Sequence, residues 1–359
     1  MKERRARQRE DDVGSSDSDR IRIGFVGAGF MGQLVHLPNF TEMAGCEVVA
    51  LAERRPRLAR LVADRFGVAK TCDSHEELCA DPAIDAIVQI TYDDAHAPVS
   101  IDALNAGKHV YLEKPMATNL SDARRMVEAA ERNGRQLMVG YMKRYDTGVE
   151  LARSIIEELT TSGEIGAITH ARGHCFAGDW ICNAGTPIRT DETYPEIEPR
   201  PPAWLEQERV REIYSLNNLY CHNINLMRHL LGEVRALEFA ALDRPTKLMV
   251  FAMNGFDAVL ELGRLSANFW DEGVKVYFED GWVEVLTPPP LLRNVPATVS
   301  VYRAGDVQEH SQPQAPRDWA FRRANAHFLA CIRSGDPVRS SGADSIRDQV
   351  LLEEAFRRF

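Results

Sequence analysis

Lysine is scarce in this chain: seven residues against 36 arginines among 359. Positive charge as a whole is in deficit, with a formal net charge of −10. That balance argues against nucleic acid or an anionic membrane surface as a partner. Long apolar runs are absent, and none reaches the length needed to span a bilayer. Cysteine pairing signals are lacking too. Cys46, Cys72, Cys79, Cys175, Cys182, Cys221 and Cys331 are odd in number and contain no C-x-x-C. They read as free thiols of a reducing cytoplasm. His170, His174, Cys175, Cys182, Cys221 and His222 match no zinc-ligand spacing, and no metal is expected. Met1 to Arg20 has a basic start but no apolar segment after it, so it is not a secretory signal. It reads as a disordered tail.

What is present is organised. Apolar residues make up 44%, ample for a core, and the length calls for two domains. The boundaries expected are 1–20 for the tail, 21–143 for the first domain and 144–359 for the second. Strand and helix patterns alternate through about residue 140, which implies a parallel, doubly wound α/β sheet. Helices are expected at 30–37, 56–66, 96–106 and 120–133. After a helix at 147–161 come β-type runs at 167–176, 234–241, 247–262, 274–286 and 297–302. These predict an α+β domain with an open, largely antiparallel or mixed sheet. Asp280-Gly281 marks a hairpin inside the fourth run. Residues 177–216 form a long irregular segment rich in proline and acid, either functional or a contact arm.

The first strand, Arg22 to Val26, ends in Gly27-Ala28-Gly29-Phe30-Met31-Gly32. In this G-x-G-x-x-G pattern Gly27 allows a tight turn and Gly29 admits a pyrophosphate to the backbone. Gly32 lets the next helix sit close to the strand. The N–H groups of that helix start, including those of Phe30 and Met31, face the phosphates. A second apolar strand ends in Glu53, where a carboxylate accepts adenosine ribose hydroxyls and disfavours a 2′-phosphate. A bound dinucleotide follows, with NAD favoured and NADP possible. Arg54 and Arg55 read as a solvated loop before Pro56, although a guanidinium there can pair with a 2′-phosphate.

Two further patterns carry chemistry. Glu113-Lys114-Pro115 follows the strand His109–Leu112, so Lys114 points into the cleft beyond the strand ends. An ammonium there can stabilise an alkoxide as hydride leaves. The local pattern alone also admits a surface lysine. Asn218 and His222 share one face of a helix ending at Leu231. A histidine can take a hydroxyl proton near neutral pH, or can serve as a polar helix contact.

In register, these pieces resemble the Gfo/Idh/MocA oxidoreductases, the group of glucose–fructose oxidoreductase and inositol dehydrogenases. The resemblance spans 21–359. It rests on the glycine turn, on Asp85 to Val88 with Thr91 and His96, and on Ala106 to Ala117 around Glu113-Lys114-Pro115. Val139 to Tyr145, Gly163 to Gly166, and the closing stretch from Ala326 to Asp344 complete it. It implies hydride transfer between nicotinamide and a ring hydroxyl or ketone of a sugar, amino sugar or cyclitol. It implies Lys114, His222 and Asn218 as catalytic residues, with Thr91, His96 and Glu113 added to the cofactor set. Tyr141, Arg144 and Asn218 are implied to meet substrate. A homodimer or homotetramer through the second sheet is expected. The family commonly has an acid where this chain has Asn218 and Asn225, an amide where it has Met142, and a proline where it has Tyr92. The alternatives are an NAD-binding sensor or accessory protein without turnover, and a sugar-modifying enzyme that recycles its NAD in place.

Overall fold

A computed structural model of the chain describes residues 20–266 and 268–358. Apart from Arg20, the expected tail lies outside the described residues. Strands β1 (Ile21–Val26), β2 (Cys46–Ala52), β3 (Lys70–Cys72), β4 (Ala86–Gln89), β5 (His109–Leu112) and β6 (Leu137–Val139) form a sheet in the order β3-β2-β1-β4-β5-β6. All its pairings are parallel. Every residue of β4 is buried, as a parallel sheet covered on both faces requires. The chain runs outward from β1 to β3 and then returns to the other side of β1. A crevice therefore opens at the carboxyl ends of β1 and β4.

The connecting helices are α1 (Leu37–Glu42), α2 (Pro56–Phe66), α3 (His75–Ala80), α4 (Asp93–Asn105) and α5 (Leu120–Asn133). α2 shows why such segments are legible. Pro56 suits the first turn, Leu58, Ala59, Val62 and Ala63 face the core, and left-handed Gly67 closes the end. α1 differs from the expected 30–37 helix, because Gly32–His36 forms a π-helical turn before Leu37. α4 also differs. It starts at Asp93 rather than His96, with Asp93 and Asp94 at its positive end, and it accommodates Pro98. β3 and α3 went unread because three and six residues give too little periodicity.

The second half contains α6 (Thr147–Ser162), β7 (Ile168–Ala177), α7 (Val210–Leu231), β8 (Ala236–Ala241), β9 (Lys247–Ala252), β10 (Asp257–Arg264), β11 (Asp271–Phe278), β12 (Gly281–Leu286), β13 (Thr298–Arg303), β14 (Glu309–Ser311), α8 (Ala320–Ser334) and α9 (Gly342–Arg357). Its sheet runs β14-β13-β12-β11-β7-β10-β9-β8. β7 and β10 pair parallel and the other pairs antiparallel, giving the mixed, largely antiparallel sheet expected. The run 247–262 is two strands, turned at left-handed Gly255. α7 begins at Val210, two turns before Asn218. α6 packs on β12 and β13, and α7 on β7 and β10, so the helices cover one face. No helix among the described residues is long and apolar enough to cross a membrane.

Candidate active site

A cleft of about 920 Å³ runs from the glycine turn of the parallel sheet to the second sheet. Its lining begins with Val26, Gly27, Gly29, Phe30 and Met31. Gly27 has φ +97°, and a Cβ there would lie 2.2 Å from the Ile90 carbonyl oxygen. A Cβ on Gly32 would lie 2.6 Å from the Gly27 carbonyl oxygen. A Cβ on Gly29 meets nothing within 4 Å, because it projects into open space. Gly27 thus serves the turn and Gly32 the close packing, while Gly29 leaves its backbone open toward the cleft.

Glu53 lines the cleft directly after β2. Its Oε2 accepts from Ala28 N at 3.0 Å, tying the end of β2 to the glycine turn. Arg55 was expected in a solvated loop, and the structure corrects this. Its Nε and Nη2 clamp the two Glu53 oxygens at 2.8 and 2.9 Å, with the side chain mostly buried. Arg55 also lies over the Tyr194 ring, 4.4 Å from its centroid. Tyr194 belongs to the irregular segment between β7 and α7, which crosses to the parallel sheet. Its ring packs edge-on against Tyr92, and Glu196 O accepts from Arg54 Nη2 at 3.1 Å. Glu192 accepts from Arg57 N and Leu58 N at the start of α2, at 2.8 and 3.0 Å. Arg200 pairs with Asp122. The segment is therefore an arm buckled across the mouth of the cleft.

At the midpoint, β5 delivers Glu113 and Lys114. Burial opposes charge on Glu113, but the His36 hydrogen bond at 2.7 Å and the Lys114 ammonium hold its carboxyl below the usual range. Asn325 Nδ2 lies 3.2 Å from His36 Nδ1, so Nε2 is the nitrogen that donates to Glu113. Lys114 Nζ donates to Asn218 O at 2.9 Å and Asn218 Oδ1 at 3.1 Å. Asn218 Nδ2 in turn donates to Asp93, at 3.1 and 3.3 Å. His222 lines the same cleft, and its buried Nδ1 has no hydrogen-bond partner among the described residues. Burial, then the Lys114 and Lys143 ammonium groups, pull its pKa well below the usual 6.5.

Beyond His222 the second sheet closes the cleft. Lys143 forms a buried ion pair with Glu272, which also accepts from Asn223 Nδ2 at 2.6 Å and Thr287 Oγ1 at 2.5 Å. Trp270 Nε1 is buried without a partner among the described residues, and Trp180 packs against Phe30. Asp93, Lys143, Trp180, Tyr194, Trp270 and Glu272 line the cleft but were not singled out in the sequence. The Asp-Asp start of α4 was a readable signal for Asp93; the others depend on long-range folding.

Of the residues expected in the cofactor or substrate set, Gly27, Gly29, Phe30, Met31, Glu53, Arg54, Thr91, Glu113, Lys114, Asn218 and His222 line the cleft. Four do not: Gly32 packs against the Gly27 carbonyl, and His96, Tyr141 and Arg144 lie behind the cleft wall. His96 is fully buried and its Nδ1 donates to Pro115 O at 2.7 Å, supporting the Lys114 turn from beneath. Tyr141 is buried with its ring edge toward His222, 6.1 Å between centroids. Arg144 bonds Asp344 and Asn225 Oδ1, at 2.7 Å each, inside a charge network that includes Asp348 and Arg228. Asn225 belongs to that network and not to the cleft.

Residues 21–141 match the model of an oxidoreductase family with an NAD-binding Rossmann fold. The chain is 32% identical to inositol 2-dehydrogenase of Salmonella typhimurium over 176 residues, 48% of this chain and 51% of that one. It thus spans about half the length of that relative. It is 30% identical to inositol 2-dehydrogenase of Rubrobacter xylanophilus over 284 residues, 77% of this chain and 73% of the relative. The fold is shared with an oxidoreductase from Agrobacterium radiobacter solved with NAD+, L-tartaric acid and magnesium. There the TM-score is 0.73 and the identity 20%, over 94% of this chain and 96% of that one.

Proposed function

The chain belongs to the Gfo/Idh/MocA oxidoreductase family, and on that premise we propose that it moves hydride between NAD and a ring carbon bearing a hydroxyl, on a sugar, amino sugar or cyclitol. One observation carries the reading. Lys114, with two of its N–H groups held by Asn218, and His222 share the cleft into which the Gly29 backbone opens.

The residues present fit a dinucleotide. Gly29 leaves room at the backbone, the helix start offers N–H groups, and Glu53 sits where ribose hydroxyls are met. A bound nicotinamide supplies hydride acceptance and return at its C4. The chain supplies the rest. An ammonium has three N–H groups. Two on Lys114 are engaged with Asn218, which leaves one to hydrogen-bond the substrate oxygen and stabilise its developing charge. His222 is neutral near neutral pH, the form that accepts a hydroxyl proton in oxidation. The aromatic wall of Trp180, Trp270 and Phe30 gives the apolar surface on which a sugar ring face packs.

We take residues 21–143 as the cofactor-binding domain and 144–359 as the substrate and assembly domain, acting in the cytoplasm. Half-buried Tyr277, Trp282 and Tyr302 on the uncovered face of the second sheet support a homodimer or homotetramer formed through that face. The test of function is absorbance at the reduced-nicotinamide band with myo-inositol, D-glucose, D-glucosamine and a nucleotide sugar, using NAD and NADP in turn. Reduction of NAD by at least one of them is expected. Tight NAD binding without turnover of any would favour a non-catalytic sensor. NAD that stays bound without exchange while a sugar is converted would favour internal recycling.

A further inference from the structure

We propose that Asp93 supplies the negative charge that position 218 lacks, so that Asp93, Asn218 and Lys114 act as one hydrogen-bonded unit whose end is the free Lys114 N–H. The inference rests on the reading of Lys114 as the group that meets the substrate oxygen. Asp93 is a positioning residue in it, since its contact with Lys114 runs through the Asn218 amide.

The chemistry of the three groups permits one arrangement. A carboxylate only accepts and an ammonium only donates. The Asn218 amide must therefore turn its NH₂ to Asp93 and its carbonyl oxygen to Lys114, as the 3.1 Å distances on both sides record. A flipped amide would oppose oxygen to carboxylate and NH₂ to ammonium. Asp93 thus locks the amide, and the locked amide aims the ammonium. Other nearby acids are committed elsewhere. Asp94 accepts from Tyr214 and Arg200 N. Glu113 is held by His36, and Glu272 by Lys143, Asn223 and Thr287. Asp93 sits in the first turn of α4, where the helix end favours a carboxylate.

The unit predicts that acid and amide can exchange places. Purified full-length protein is treated with acetic anhydride at mildly alkaline pH, and acetylation of Lys114 is measured by peptide mass relative to exposed Lys70. Asp93→Asn should raise Lys114 labelling about three- to tenfold, the effect of removing one opposite charge from a partly buried site. The transposed pair, Asp93→Asn with Asn218→Asp, should return it to within about twofold of the unaltered protein. A lost carboxylate with merely structural effect would not be rescued by transposition. Unchanged labelling in Asp93→Asn, or no recovery in the transposed pair, would overturn the proposal. If Asp93→Asn does not fold, Asn218→Asp alone remains informative. It sets two carboxylates side by side next to Lys114 and should lower labelling below the unaltered level, and a rise would overturn the proposal. The measurement needs no substrate, so absence of turnover would sink the proposed function while leaving this test intact.

Discussion

Lys114 and His222 line one cleft, where burial and the nearby ammonium groups favour a neutral histidine. Removing either should separate binding from chemistry. Lys114→Ala and His222→Ala are each expected to cut turnover by about 10²–10⁴-fold, the range for losing general acid–base help. NAD affinity, read by fluorescence quenching, should stay close to that of the unaltered protein, because neither lies at the Glu53 end of the cleft. The pH dependence has a definite sign. Burial first, then Lys114 and Lys143, lower the His222 pKa, so its base form persists as pH falls through the usual 6.5. Oxidation should therefore show no loss attributable to His222 on going from alkaline pH to that value, and a rate that titrates near 6.5 would contradict the assignment. At the other end, Glu53→Ser removes the carboxylate that Arg55 clamps. The freed guanidinium should pair with a 2′-phosphate, shifting the NADP-to-NAD affinity ratio by about tenfold or more, as charge-assisted bonds permit. An unchanged ratio in equilibrium titrations would show that Arg55 does not reach that phosphate.

The irregular arm between β7 and α7 reaches across to the parallel-sheet half through Glu192, Glu196 and Arg200. Its Glu192 closes the start of α2, where Arg55 as the residue before the helix provides no side-chain cap. Pro56 at the first position explains why the helix forms, and Glu192 explains how its next two N–H groups are met. Glu192→Ala should therefore loosen the arm while leaving the sheet intact. Limited proteolysis should cut within the arm several-fold faster, with bound NAD restoring protection. Equal cleavage rates in the two proteins would show that the Tyr194 and Arg200 contacts hold the arm without Glu192. The sequence marked this arm by its prolines and acids. It did not disclose the direction of the arm, because Glu192 meets residues some 135 positions away.

Across the whole molecule, buried histidines link folding to pH. Burial first, and then Arg144, Arg153 and Arg339, push His229 down to about 2. His222 is also held well below its usual value. Both stay neutral in the fold, while the unfolded chain protonates them near 6.5. Lowered folded values mean stability that is complete above 6.5 and declines as pH falls below it, by up to about 1.4 kcal/mol per pH unit for each group. Thermal unfolding should show the midpoint dropping between about pH 6.5 and pH 5. His229→Gln should flatten that drop, and an equal drop in the variant would assign it to other groups. Buried Asp146 and Asp348, raised chiefly by burial, act in the opposite sense nearer to their own range.

Sequence alone determined whatever depends on neighbours along the chain. The glycine turn, the acid after β2, the lysine after β5 and the helix periods of α2 and α5 are local patterns, and local backbone sterics and burial enforce them. Tertiary structure decided whatever depends on distant parts meeting. Asp93 and Asn218 lie 125 positions apart, and Lys143 and Glu272 lie 129. Their pairing is set by how the second sheet packs against the ends of the first. The same packing removed His96, Tyr141 and Arg144 from the cleft wall, because burial commits all three behind it and hydrogen bonds hold His96 and Arg144 there. Residue type and spacing reveal which groups a chain can bring to a site; only the closed fold determines which of them still have a free hydrogen-bonding atom there.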